Sequence, residues 1–166
     1  MGLPVAASLP SGQPVVLRAA TRGDVCALVG LFTDDELGAG RDGIEDGQDL
    51  LAYVRAFEAI DRDPAHVLLV AEVDRSAVVG TLQLSFLPGL TRHGSWRAQI
   101  EAARVAADLR AQGLGSLMVR WAVEEAAARG CALVQLTTDK RRDDAHRFYE
   151  RLGFEATHEG MKLHLS

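Results

Sequence analysis

The chain has 166 residues, of which 48% are hydrophobic and 25% are charged. This length and composition predict one globular domain with a sizeable core and leave no room for a second domain. The net charge of -5 disfavours a nucleic-acid partner, which normally needs a basic face, and favours a cationic or neutral ligand.

No apolar run is long enough to span a membrane, and the N-terminus lacks a basic segment followed by a long apolar one. We therefore expect a cytoplasmic protein with no membrane partner. Cys26 and Cys131 belong to no CxxC or His-rich cluster, so we interpret them as reduced core residues and expect no metal site.

The first third of the chain alternates turn-rich and periodic stretches. Residues 1–14 contain three prolines among small side chains, which predicts a flexible tail ahead of a single domain at 15–166. A short strand at 15–18 and a helix from Thr21 follow. Residues 33–49 carry seven acidic side chains and four glycines, which predicts a mobile loop. This loop is either a solvated connection or a lid that attracts an amine. A helix then runs from Asp49 to Asp63-Pro64.

The remaining elements follow from alternating and helical patterns. Residues 66–73 and 77–87 predict a hairpin, and Trp96 begins the next strand. A long helix ends at Arg129-Gly130, and a strand at 131–138 follows it. A helix from Asp143 to Gly153 and a hairpin of 154–158 with 161–165 complete the chain. The predicted order is β-α-α-β-β-β-α-β-α-β-β.

The loop that opens the long helix has the features of an anion site. A helix start leaves backbone N-H groups without intrahelical partners, and the helix dipole favours negative charge there. Gly113 and Gly115 lack the Cβ atoms that would keep a phosphate away, and Arg110 can donate a bidentate hydrogen bond. The loop therefore predicts a pyrophosphate site, with a plain tight connection as the alternative. It lacks the Lys-Ser/Thr pair of a P-loop and the three glycines of a dinucleotide fingerprint.

Two motifs carry a resemblance to a known family. The run Arg110-Ala-Gln-Gly113-Leu-Gly115 resembles the Arg/Gln-x-x-Gly-x-Gly/Ala motif of the GCN5-related N-acetyltransferases, the GNAT superfamily. The run from Ala145 to Phe154, AHRFYERLGF, matches the family's A-x-x-F-Y-x-x-x-G-F signature. The AHRFY run and the Trp96 strand are similar to those of aminoalkylphosphonate acetyltransferases. The resemblance implies an α/β (α+β) GNAT fold: a mixed twisted sheet of six to seven strands, splayed in the middle, with about four helices.

The resemblance also implies a binding site for acetyl-CoA as cosubstrate. Backbone N-H groups at Ala103, Arg104 and Val105 would face the acetyl carbonyl and the pantetheine arm. The pyrophosphate would bind the loop and helix start, which comprise Arg110, Ala111, Gln112, Gly113, Leu114, Gly115 and Ser116. The sequence departs from the family pattern before this loop, because Ala107-Asp108-Leu109 replaces the usual acidic-Pro turn.

The implied reaction is direct acetyl transfer to a primary amine of a small molecule. Glu101 is the candidate base, acting directly or through water. Thr137 stands where some family members carry a catalytic glutamate and cannot replace it as a base, so an ordered water is the alternative. Tyr149 is the candidate acid that protonates the leaving thiolate. The alternatives are that Tyr149 is only a core residue, or that His146 is the acid.

Other interpretations of the sequence stay open. The domain could be a catalytically silent acyl-CoA-binding or regulatory module, or its loop could serve another nucleotide. The sequence names neither the acceptor amine nor the oligomeric state, and a homodimer is one of the alternatives.

Overall fold

The computed structural model of the protein describes residues 2–34, 42–74 and 76–165. Its centre is a six-stranded sheet whose spatial order follows the chain order. The strands are β1 (Val5–Ser8), β2 (Pro14–Ala19), β3 (His66–Val73), β4 (Ala77–Leu87), β5 (Trp96–Val105) and β6 (Cys131–Leu136). Neighbours from β1 to β5 are antiparallel, whereas β5 and β6 are parallel. The sheet is therefore mixed, as the sequence predicts.

The helices of the described chain connect these strands, except for the last helix, which follows β6. They are α1 (Val25–Thr33), α2 (Gly47–Arg62), a single turn α3 (Thr91–Gly94), α4 (Leu114–Ala128) and α5 (Asp143–Arg151). Helix α2 begins at Gly47 because the Asp46 carboxylate accepts hydrogen bonds from the N-H groups of Gln48 and Asp49, at 2.7 and 3.0 Å. Such caps satisfy the amides that a helix start leaves unpaired. The helix start is thus two residues earlier than predicted.

The strands bury side chains on both faces of the sheet. Alternation along β3 sends Leu69 into the larger core cluster, which contains Leu114 and Met118 of α4. The next residue, Val70, joins a smaller cluster with Leu28 of α1 and other residues of α1 and α2. Helix α4 therefore covers one face, and α1 and α2 cover the other.

The sheet opens between its last two strands, β5 and β6. Pairing between these strands joins 96–100 to 131–136 and ends at Ile100 and Leu136, while β5 continues to Val105. On its other side, β5 has one extra residue against β4, since Thr81 pairs with Arg104 and Gln83 with Glu101. The extra residue is part of a β-bulge in which Ala102 has a φ of 51°. The predicted mixed α/β fold with a splayed pair of strands is confirmed, and the splay lies between the last two strands of the described sheet.

Two predicted elements at the chain ends are wrong. Residues 5–8, assigned to a flexible tail, form β1 and pair with β2 from Val5 opposite Leu17 to Ser8 opposite Pro14. This pairing, together with the burial of Leu9, holds the N-terminal stretch on the sheet. The hairpin predicted at 154–158 and 161–165 is not formed, because these residues pair with no strand of the described chain. A period-two pattern specifies a strand only when a partner strand is within reach.

The strand predicted at 131–138 ends at Leu136, where its pairing with β5 stops. Most of the acidic centre of the predicted loop at 33–49, including Asp35 and Glu36, lies outside the described residues.

Candidate active site

The cleft side of β5 presents main chain that no strand covers. Beyond Ile100 the described chain places no strand beside β5 on the β6 side, so the main chain of Ala103, Arg104 and Val105 lies along the opening. The Ala103 carbonyl oxygen accepts a hydrogen bond from Arg104 Nη1 at 2.8 Å, and the Val105 oxygen accepts one from Arg110. The bulge at Ala102 changes the direction of these groups relative to the first half of the strand. The three positions predicted from the family pattern therefore lie together at the cleft.

The loop after β5 is tied back to the end of the strand. Arg110 Nε donates to the Val105 carbonyl oxygen at 3.1 Å, and the residues between them form a short turn at Ala107–Leu109. The departure from the family's acidic-Pro turn thus leaves a compact connection. Arg110 is held at the point where the strand edge and the helix start meet.

The structure supplies a second reason for the two glycines. Gly113 has a φ of 90°, and a Cβ placed there would lie 3.0 Å from Pro10 Cδ. A Cβ on Gly115 would lie 3.3 Å from Phe148 Cζ of α5. The left-handed backbone favours glycine at Gly113 independently of any bound phosphate. At Gly115 a Cβ would require the Phe148 ring to shift by a few tenths of an ångström.

The start of α4 keeps its amides available. No side chain caps this helix, and the first helical bond runs from the Leu117 N-H to the Gly113 oxygen at 3.0 Å. The N-H groups of Leu114, Gly115 and Ser116 precede that bond. Gln112 is engaged elsewhere, since its Nε2 donates to the Asp108 oxygen at 2.6 Å. An uncapped helix start beside an arginine is suited to an anion.

Arg110 also contacts Asp34, which the sequence analysis did not single out as a partner. Arg110 Nη2 donates to the Asp34 carboxylate at 3.0 Å and to its carbonyl oxygen at 2.8 Å. The same carboxylate accepts from the Ala107 N-H at 3.1 Å. The pair is 76 residues apart in sequence, so no local signal could have identified it. The Arg110 guanidinium, which would bind an anion, therefore already has the Asp34 carboxylate as a partner.

Tyr149 lies half-buried between two aromatic rings. Its ring packs edge-on against Phe148 and Phe154, with centroid distances of 5.0 and 5.7 Å. Burial raises the pKa of the Tyr149 phenol above its usual value near 10, and the positive charges of Arg104 and Arg142 offset part of that rise. The phenol is therefore neutral and able to donate a hydrogen bond at pH 7.

The competing acid is positioned differently. A ring nitrogen of His146, Nε2, lies 3.3 Å from the Asp139 carbonyl oxygen. The imidazole therefore contacts the loop before α5.

Glu101 is exposed on β5 and lies opposite Gln83 of β4. Gln99 lies two residues earlier on the same face, and its side-chain oxygen accepts a hydrogen bond from Gln135 of β6 at 2.7 Å. A row of amide side chains thus borders the predicted base across three strands, a feature that the sequence analysis did not use. Thr137, just beyond β6, is also exposed.

The described ranges contain no group of three His, Cys, Asp or Glu side chains arranged to hold a metal ion. None of the helices in these ranges has the length and apolarity needed to cross a membrane.

The open cleft, the bulged strand and the uncapped start of α4 lie together in a mixed α/β fold, and the comparisons identify its family. The sequence model described as the Acetyltransferase (GNAT) family matches residues 25–154, so the chain belongs to the GNAT acetyltransferase family. With N-acetyltransferases among its relatives, it is a GNAT-type N-acetyltransferase.

Three similar proteins illustrate the range of the family. The aminoalkylphosphonate N-acetyltransferase of Salmonella typhimurium is 40% identical over 111 residues, which span 66% of this chain and 70% of that protein. The glucosamine 6-phosphate N-acetyltransferase of Trypanosoma brucei brucei is 33% identical over 88 residues, spanning 53% of this chain and 58% of that protein. The crystal structure of a transcriptional regulator from Bacillus halodurans C-125 superposes with a TM-score of 0.86 at 50% identity, covering 91% of this chain and 99% of that one.

Proposed function

We propose that this protein transfers the acetyl group of acetyl-CoA directly to the primary amine of a small molecule. The observation that carries the proposal is the continuity of one surface. It runs from the uncovered edge of β5 through Arg110 to the uncapped start of α4. An extended thioester arm followed by a pyrophosphate matches that order of backbone groups and positive charge.

The residues of this surface fit the two parts of the cosubstrate. Backbone groups at Ala103, Arg104 and Val105 would bind the acyl and pantetheine end, as an added strand binds a sheet edge. The amides that open α4, together with Arg110, would bind the pyrophosphate. The rest of the loop, Ala111 to Ser116, would supply the backbone that surrounds it.

The reaction requires three proton movements. A free alkyl amine has a pKa near 10, so most of it is protonated at neutral pH and must lose a proton before it attacks. Glu101 would accept that proton, directly or through water. The amine nitrogen then forms a bond to the acetyl carbon while the carbon-sulfur bond breaks. The carbonyl oxygen gains charge during attack, and a backbone N-H of residues 103–105 would stabilise it. Tyr149 would give its proton to the departing thiolate. The attacking nitrogen still carries two protons at that point, and it would lose one of them, through water, to the Tyr149 phenolate, which leaves a neutral amide and a reprotonated Tyr149.

The acceptor that we would test first is a small amine that also carries an anionic phosphorus group. The names of two relatives specify an aminoalkylphosphonate and glucosamine 6-phosphate. On this chain, the charges of Arg104 and Arg142 both act on the Tyr149 phenol, so two cations lie close to the proposed acid. A phosphonate or phosphate is the kind of group that arginine binds well.

The test combines binding and turnover. Acetyl-CoA should raise the melting temperature of the protein in a concentration-dependent way, because a ligand bound only by the folded state stabilises it. Release of free CoA thiol should then depend on an amine from a panel of aminophosphonates, amino sugar phosphates, amino acids and polyamines. Stabilisation without turnover on any amine would favour a silent or regulatory module. Stabilisation by ATP or NAD but not by CoA would contradict the proposal.

A further inference from the structure

A row of polar side chains crosses one face of the sheet from β3 to β6. Residues that lie directly opposite each other on neighbouring strands share a face. His66 alternates in step with Val70, which packs against α1 and α2, so the row lies on the face that these helices cover. The opposed pairs of the row are His66 with Ser85, Gln83 with Glu101, and Gln99 with Gln135.

Hydrogen bonds within the row fix the orientation of Gln83. Ser85 Oγ lies 2.8 Å from His66 Nδ1 and accepts a hydrogen bond from Gln83 Nε2 at 3.3 Å. Ser85 is only 4% exposed, so the group that holds the amide nitrogen is itself buried. A side-chain amide is planar, and its oxygen points away from the partner of its nitrogen. The oxygen of Gln83 is therefore turned away from Ser85.

Gln83 and Glu101 both present oxygens to which no group of the described chain donates. Gln99 differs, because its side-chain oxygen already accepts a hydrogen bond from Gln135. Opposed residues on neighbouring strands have Cβ atoms about 4.5–5.5 Å apart, so Gln83 and Glu101 are close neighbours. A carboxylate beside a carbonyl oxygen is suited to a cation with several N-H donors. An alkylammonium group has that chemistry.

The position of this pair relates it to the cleft. Gln83 and Glu101 are the last opposed pair before the extra residue of β5, and Ala102 of the bulge follows Glu101 directly. The uncovered main chain at 103–105 begins one residue further on. A nitrogen bound between the two side chains would therefore lie beside the proposed acetyl site.

We propose that the side-chain oxygen of Gln83 binds the acceptor amine, with Glu101 accepting a second N-H of the same group. The role of this contact in turnover rests on the proposed acetyl transfer. Once Glu101 has taken a proton, the amine is neutral and charge no longer attracts it. The hydrogen bond to Gln83 then keeps the nitrogen beside the bulge. A hydroxyl group has a single hydrogen and cannot serve both oxygens, so the pair selects an amine over an alcohol.

Two matched ligands test this amine site without turnover. Aminomethylphosphonate carries an ammonium group at neutral pH, and methylphosphonate lacks it. Each is titrated calorimetrically into the full chain saturated with CoA, which has no acetyl group to transfer. The chain should bind aminomethylphosphonate at least about tenfold more tightly, as expected for hydrogen bonds to a charged group. A chain without this preference would overturn the proposal.

Substitutions then assign the preference to Gln83. Gln83→Met keeps the length of the side chain but removes its oxygen, and should raise the Kd for aminomethylphosphonate about tenfold or more. The Kd for methylphosphonate should stay within about twofold. Gln83→Glu restores an acceptor and should retain the preference. Gln48→Met makes the same change at an exposed position of α2 and should have no effect.

Circular dichroism verifies that each variant is folded. Gln83→Thr, which introduces a good strand residue too short to reach the amine, provides a second variant with the same expected loss. A folded Gln83→Met or Gln83→Thr protein that keeps the preference for aminomethylphosphonate would overturn the proposal.

Turnover distinguishes this proposal from the proposed function. Gln83→Met should raise the KM for the amine about tenfold or more and leave the acetyl-CoA KM within about twofold. If the substitution abolishes the binding preference but the parent acetylates no amine, the amine site stands and the proposed transfer fails. If the parent acetylates amines and Gln83→Met has the parent KM for the amine, the transfer stands and the role of Gln83 is refuted.

Discussion

Replacing Tyr149 with phenylalanine tests whether this residue is the acid of the reaction or only an aromatic residue of the core. The substitution removes one hydroxyl and keeps the ring that packs against Phe148 and Phe154 at 5.0 and 5.7 Å. Among the described residues, that hydroxyl makes no hydrogen bond to the protein. The free energy of unfolding should therefore change little, because no buried partner is left unsatisfied. The melting temperature should stay within about 3 °C of the parent, since 1 kcal/mol corresponds to roughly 2–4 °C in a domain of this size.

The kinetic effect should be much larger than the effect on stability. A general acid contributes about 10²- to 10⁴-fold, and a thiolate leaves readily, so we expect a decrease in kcat of about 10²-fold. That factor corresponds to about 2.7 kcal/mol of transition-state stabilisation. The KM for acetyl-CoA should stay within about twofold, because the hydroxyl acts mainly in the transition state.

The assay is CoA-thiol release at saturating amine between pH 6 and 9. The pKa of Tyr149 lies above 10, so the phenol stays protonated over this range and the loss should be independent of pH. The chain's only other tyrosine, Tyr53, provides a matched control. Its hydroxyl accepts a hydrogen bond from the Gly43 N-H at 3.1 Å, and Tyr53→Phe should leave kcat unchanged. A Tyr149→Phe enzyme with the parent kcat at every pH would show that Tyr149 is only a core residue.

Three further substitutions test other parts of the account. Arg110→Ala should raise the acetyl-CoA KM about 10- to 150-fold, because a hydrogen bond to a charged group contributes about 1.5–3 kcal/mol. The control Arg92→Ala should leave this KM unchanged. An Arg110→Ala protein with the parent KM would show that Arg110 does not bind the cofactor. Glu101→Gln should lower kcat/KM by about 10²-fold at pH 7, and an unchanged value would transfer the base role to water. The hydrogen bonds from Arg18 lower the pKa of Asp24 from 3.8 to about 2. The ionised carboxylate therefore adds about 2 kcal/mol to the free energy of unfolding above pH 4, and this contribution is lost as the pH falls toward 2. Acid unfolding followed by circular dichroism should show that Asp24→Asn lowers stability at pH 7 and flattens this pH dependence; an unaltered acid profile would contradict the assignment.

The parts of the fold that depend on local pattern were predictable. The bounds of β3 and β4 match the predicted ranges 66–73 and 77–87, since strong β-formers there are separated by a clear turn. The loop from Arg110 to Gly115 was predictable because its residue types and spacing express a local backbone requirement. Gly113, with a φ of 90°, is an example in which the residue type itself reports the conformation.

The parts that depend on distant contacts were not predictable. The contact between Asp34 and Arg110 joins residues far apart in sequence, and an acidic residue in an acidic stretch carries no sign of its partner. The bulge at Ala102 has a positive φ at an alanine, so no glycine marks it. Strand β1 was missed because its alanine and serine residues give a weak strand pattern and its neighbouring prolines suggested a tail.

The most direct test of the central claim is to follow the acetyl group itself. The protein should be incubated with acetyl-CoA labelled with carbon-13 in the acetyl group and with an amine acceptor identified by the panel. Mass spectrometry should then detect the label in an N-acetylated product, formed in a one-to-one ratio with free CoA and at least about 10²-fold more slowly by the Tyr149→Phe protein. Free CoA released with labelled acetate, and no label on any amine, would contradict the account.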